Sequence, residues 1–117
     1  MATRSFIAQK KEDGSFEGVY CHWDGYPDGV GKTLFANYKD PEKIQKLING
    51  GGMSTLKETP EECEYYTQRG EALKIHKTPG FKENPNAAMF YLKQIANSMG
   101  CEYLYVRAAG EWTYFKL

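Results

Sequence analysis

Asp13-Gly14, set between two runs of strand-forming residues, constrains this chain more than any other pair. Thr3 to Lys10 and Ser15 to Trp23 flank Glu12-Asp13-Gly14-Ser15, and Asp-Gly favours a two-residue hairpin because both residues tolerate positive φ. Pairing outward from that turn sets Ala8 opposite Val19, Phe6 opposite Cys21 and Arg4 opposite Trp23 on one face. Ile7 opposite Tyr20, Ser5 opposite His22 and Thr3 opposite Asp24 fall on the other. The first face reads as core; the second turns polar toward residues 20–33.

Beyond the hairpin, Gly25 to Gly31 holds Pro27 and three glycines and reads as a loop. A helix is expected from about Gly31 to Tyr38, and a second one starts at Asp40-Pro41, with Ile44, Leu47 and Ile48 as its buried stripe. Gly50-Gly51-Gly52 ends it. Thr59-Pro60-Glu61-Glu62 has the form of a capping box and predicts a helix to Arg69. Ala72 to His76 reads as a short edge strand, and Thr78 to Pro85 as a surface loop. Asn84-Pro85 opens the clearest helix, in which Met89, Leu92, Ile95, Ala96 and Met99 repeat at helical spacing up to Gly100. Two strands, Glu102 to Arg107 and Glu111 to Leu117, then turn at Ala109-Gly110. Leu104 and Val106 should meet the helices while Tyr103, Tyr105 and Arg107 face away. The expected fold is a single α+β domain over residues 1–117, with a mainly antiparallel sheet of four or five strands and three or four helices on one face.

Composition narrows the function classes. Lys+Arg and Asp+Glu balance at 15 each, so the net field that draws a protein to nucleic acid or to an anionic membrane is missing. Cys21, Cys63 and Cys101 are widely spaced, odd in number and without a CxxC, which fits a reducing cytoplasm and thiols packed as small apolar groups. Neither a signal-peptide pattern nor an apolar run of about 18 residues occurs, so a soluble cytoplasmic protein is expected. Nine Tyr, six Phe and two Trp exceed what so small a core needs, and the surplus favours a binding surface.

The residues that carry chemistry gather in Tyr20-Cys21-His22-Trp23-Asp24-Gly25-Tyr26-Pro27-Asp28-Gly29-Val30-Gly31-Lys32-Thr33. Gly31-Lys32-Thr33 resembles the end of a phosphate loop, but that pattern wants glycine where Tyr26 stands, and Gly25 is one residue too far away. What survives is an anion site of backbone N–H groups with Lys32 and Thr33; the plain alternative is a tight turn. Ser5, His22 and Asp24 share a face in the expected register and could supply nucleophile, base and orienter, or simply a polar cluster bracing the loop. Cys21 points away from His22 and Asp24, which argues against a metal site, and His76 stands alone. Trp23, Tyr26, Tyr103, Tyr105, Trp112 and Tyr114, interleaved with Arg4, Arg107 and Lys32, suit base stacking and phosphate pairing, though strands favour such rings for packing as well.

The short Thr-Arg-Ser strand, the Asp-Gly hairpin, Tyr-Cys-His-Trp-Asp-Gly-Tyr-Pro and the following Gly-Lys-Thr-Leu together resemble a family of small bacteriophage and prophage proteins over about the first 50 residues. That resemblance implies an accessory protein that counters host defence. The leading expectation is therefore a phage anti-defence binding protein, acting in the cytoplasm of the infected host, that sequesters a small nucleotide-type immune signal without cleaving it. It would need no cofactor, and it would be a homo-oligomer whose subunits share a pocket. Trp23 and Tyr26 would stack on the base, Arg4 and Lys32 would meet phosphate, and His22 and Asp24 would bond ribose or base edges; Thr33, Tyr105 and Arg107 complete the candidate set. Two alternatives stand beside it: a protein inhibitor of a host defence enzyme, and a small nucleotide-cleaving hydrolase using His22 with Ser5 or Asp24.

Overall fold

The computed structural model describes residues 2–80 and 84–117, so residues 81–83 of the expected Thr78–Pro85 loop lie outside it. Strands β1 (Ser5–Lys10) and β2 (Phe16–Cys21) form the expected hairpin. The turn holds three residues, however: the Lys11 N–H donates to Ser15 O, the Gly14 N–H donates to Lys11 O, and Gly14 takes φ 83°. A left-handed glycine after a tight turn adds one residue to the loop. The register therefore slips by one, and Ser5 pairs with Cys21, Phe6 with Tyr20 and Ile7 with Val19.

After β2 the chain makes a wide helical turn, Pro27–Gly31, that continues into α1 (Lys32–Asn37). The expected loop is thus partly helical. Helix α2 (Pro41–Asn49) starts as its sequence predicts, with the Asp40 side chain accepting from the Glu42 N–H. Strand β3 (Met53–Thr55) follows. The helix expected from Thr59 to Arg69 does not form. The Thr59 hydroxyl does meet the Glu62 carboxylate at 2.8 Å, but Pro60–Glu62 makes a single 3₁₀ turn before the chain extends into β4 (Glu64–Tyr65). Extension at Cys63 and Tyr65 serves burial: the Cys63 thiol lies against the Tyr38 hydroxyl and the Lys57 N–H, and the Tyr65 hydroxyl donates to Pro60 O. A second 3₁₀ turn (Tyr66–Arg69) precedes β5 (His76–Lys77), α3 (Pro85–Ser98), β6 (Tyr103–Ala108) and β7 (Glu111–Lys116). The last two strands turn at Ala109 and Gly110, both at positive φ, as their sequence predicts.

The strand order is β4-β3-β2-β1-β6-β7, with β5 also against β2. Antiparallel pairs dominate; β1 runs parallel to β6 and β2 parallel to β3. The mixed architecture with a mainly antiparallel sheet is the expected one. Its helices, though, lie on both faces. Ile7, Val19, Cys21 and Tyr105 pack with Leu34 of α1 and with Ile44, Leu47 and Ile48 of α2. Phe6, Ala8, Leu104 and Val106 pack with Ala88, Leu92 and Ala96 of α3. Alternation along a strand explains both layers, because neighbouring residues point to opposite faces. Among the described residues no helix is long and apolar enough to cross a membrane.

Candidate ligand-binding site

The residues of the 20–33 segment divide among different surroundings. A concavity of about 310 Å³ opens where β2 changes partners: β5 pairs at Gly18, β3 pairs at Cys21, and the edge between them is left to Tyr20. Tyr20 and His22 point to the α3 side of the sheet. Tyr66, Glu71 and Lys74 from the segment after β4 form one wall, His76 of β5 closes one end, and Met99 beyond α3 forms the other wall.

Four rings shape this hollow. The Tyr20 and Tyr66 rings lie near parallel, 24° apart in plane, with centroids 6.4 Å apart. The Tyr20 hydroxyl meets His22 Nδ1 at 2.7 Å. Burial pushes the Tyr20 phenol up to about 12 in spite of the nearby Arg4 charge, so it stays protonated. When that hydroxyl donates to Nδ1, neutral His22 keeps its proton on Nε2 and has a donor to offer. His76 meets Phe6 edge-on at 5.7 Å, and desolvation, helped by Lys74, lowers its pKa and favours the neutral ring.

Cations stand around these rings. The Arg4 guanidinium donates to Met99 O at 3.5 Å, and its field reaches Tyr20 and Tyr66. Arg69 lies over the Tyr66 ring, 5.6 Å from its centroid, and Lys74 is in the wall itself. The hollow thus joins flat ring faces to a lining that carries both Lys74 and Glu71, with the Arg4 and Arg69 charges beyond its Met99 and Tyr66 walls. Among the described residues, no three of His, Cys, Asp and Glu gather closely enough to hold a metal ion.

Of the residues singled out in the sequence, His22 lines this hollow, Arg4 is bonded to its Met99 wall, and Trp23 leans on His22 with centroids 4.6 Å apart and planes at 85°. Trp23 itself borders a smaller hollow of about 150 Å³ with Asp24, Asp28 and Thr33. Asp24 is held at φ 59° and accepts from the Tyr26 hydroxyl at 3.2 Å. Lys32 is exposed and borders neither hollow.

Four expectations need correction. Tyr105 does not face away: it is fully buried, and its hydroxyl donates to Gly25 O at 2.7 Å, so it anchors the loop and cannot reach a ligand. Arg107 is at the far end of the sheet, where it donates to Lys39 O at 2.8 Å. Ser5 is fully buried opposite Cys21, on the other side of the sheet from His22, so the two cannot act as nucleophile and base. His76, taken as isolated in the sequence, is a wall of the same hollow as His22. Tyr66, Glu71 and Lys74 line the hollow but were not among the candidate residues, and Tyr20 stood in the singled-out stretch without a role of its own. The aromatic pair Tyr65-Tyr66 beside Arg69 was the available signal, and the expected helix concealed it.

Comparison with known proteins returns no match: no protein-family model, no curated protein and no solved structure matches this chain.

Proposed function

We propose that this chain is a non-enzymatic binding protein that holds a small nucleotide-type ligand in the hollow between Tyr20, His22, Tyr66 and His76. One observation carries the reading: four rings surround a concavity lined by Lys74 and Glu71, with Arg4 bonded to its Met99 wall and Arg69 lying over its Tyr66 ring. A base would stack on Tyr66 or Tyr20, a phosphate would meet the cations, and Nε2–H of His22 would donate to a base or ribose edge. The volume of about 310 Å³ is at the low end of the range for small-molecule sites, about 300–1,000 Å³, and suits one base with its sugar phosphate. The resemblance of residues 20–27 to phage proteins supports taking the ligand as a host immune signal and the protein as an anti-defence sponge.

Calorimetry against mononucleotides, cyclic nucleotides and ADP-ribose derivatives tests this. Micromolar binding of one class is expected, weakened roughly tenfold or more by Tyr66→Ala, in line with the ~1–3 kcal/mol of a lost base stack. Ligand recovered intact from the denatured complex would separate sequestration from cleavage. Absence of micromolar binding across the panel would remove the proposal. A second reading, inhibition of a host protein, is favoured by Trp23 and Tyr26, which remain 46% and 42% exposed. It predicts that Trp23→Ala abolishes inhibition of the target enzyme while leaving nucleotide binding in place.

A further inference from the structure

The edge strand β7 departs from how proteins ordinarily protect a sheet. At the opposite edge, β4 has only two residues. β7 has six, with no proline and no bulge, and its charges, Glu111 and Lys116, stand only at its ends. Short strands, prolines, bulges and central lysines are the usual devices that discourage a second chain from pairing. The two-residue turn makes Ala108 and Glu111 a bonded pair, so Glu111, Thr113 and Phe115 exchange backbone bonds with β6. Trp112, Tyr114 and Lys116 direct their N–H and C=O groups outward.

Large aromatics flank this edge on both sides of the sheet. Tyr114, on the strand, is 48% exposed. On the α1 side, Phe35 is 43% exposed and borders a groove of about 490 Å³ with Lys39, Arg107 and Trp112. On the α3 side, Lys93 sits over the Phe115 ring, 4.5 Å from its centroid, and Phe90, one turn earlier on that helix, is 61% exposed.

We infer that β7 is a homodimer interface, in which two copies of this chain pair antiparallel through their β7 strands about Thr113. A two-fold axis normal to the sheet allows only registers that oppose residues of like parity. With Thr113 on the axis, the backbone of Trp112, whose ring is buried in its own core, pairs with that of the partner's Tyr114, giving four backbone hydrogen bonds across the axis. On the other face Glu111 stands opposite the partner's Phe115, whose ring carries a lysine above it. The carboxylate of each copy therefore reaches the Lys93 ammonium of the other, and no like charges stand opposite each other. A register with Tyr114 on the axis places Glu111 opposite the partner's Leu117 and forfeits both ion pairs. Phe35 and Phe90 widen the contact beyond a bare strand, toward the roughly 800 Å² per partner of a stable interface. The nucleotide-type hollows lie at the opposite edge of the sheet, so each subunit keeps its own.

Sedimentation equilibrium over the micromolar range tests this. The wild type is expected to sediment at twice its 13.3 kDa chain mass. Glu111→Lys and Lys93→Glu should each weaken dimerisation at least tenfold, and the double variant K93E/E111K should restore it, because the pair is reversed and not removed. Tyr114→Pro, which deletes an outward N–H while sparing the bonds to β6, should be monomeric with an unchanged far-ultraviolet spectrum. A wild type that stays monomeric, or a dimer indifferent to the single charge reversals, would overturn the assignment. Glu111 is exposed and Lys93 half-buried over Phe115, so a far-ultraviolet spectrum and a thermal melt of each charge variant accompany the sedimentation.

Discussion

At the scale of single residues, Tyr105 shows how a buried polar group organises a distant loop. Its hydroxyl reaches Gly25 O at 2.7 Å from the middle of β6, and burial pushes the phenol well above the ordinary tyrosine value. Tyr105→Phe strands a buried carbonyl and is expected to cost about 1–3 kcal/mol, read as a lower denaturant midpoint at unchanged slope. His76 gives a pH signature. Its pKa is lowered in the folded state by desolvation and then by Lys74, so the unfolded chain binds more protons in the window between the folded value and the ordinary one. Stability from this group is fully present above the ordinary histidine pKa and is lost as pH falls toward the folded value. Between about pH 7.5 and about pH 5 the wild type should lose more stability than His76→Gln, with denaturant midpoints as the measure. Both residues were hard to read in the sequence. Tyr105 alternates with apolar Leu104 and Val106, which predicts a solvent-facing ring when one sheet face is open; here neither face is.

At the scale of elements, much of the secondary structure was legible because its signals are local. Asp40-Pro41 and Asn84-Pro85 cap their helices as written, and Ala109-Gly110 turns the last hairpin. The first hairpin was half legible. Asp13-Gly14 marks the turn, but whether Gly14 belongs to a two- or a three-residue loop depends on one φ angle, and that one residue moves Ser5 away from His22. The pocket wall was illegible, since the capping pattern at Thr59 could not reveal that Cys63 and Tyr65 gain more by extending into the core under Tyr38. Gly50 makes room for this wall: a Cβ there would come within 2.4 Å of the Tyr65 ring, whose hydroxyl is tied to Pro60 O at 2.7 Å. Gly50→Ala should cost about 1–3 kcal/mol and loosen ligand binding through the adjacent Tyr66. A thermal melt together with a binding titration measures the two effects.

At the scale of the whole molecule, one sheet between two apolar layers predicts one cooperative unit. Leu47 belongs to the α2 layer and Leu92 to the α3 layer, and both are buried. Leu47→Ala and Leu92→Ala should each lower stability by about 2–5 kcal/mol, and in both variants fluorescence and circular dichroism should report a single coincident transition. Separate midpoints would mean that the layers melt independently. The antiparallel sheet was readable from the two hairpins; their joining was not, because parallel pairing of β1 with β6 links residues almost a hundred positions apart. Contacts so distant in sequence slow folding.

That joining strand has a consequence for biosynthesis. While translation proceeds, the first hairpin leaves the ribosome with one flank of β1 open, and the strand that covers it follows almost a hundred residues later. Until then the β6 flank of β1 has no strand to pair with, and Phe6 and Ala8 lack their Leu104 and Val106 neighbours.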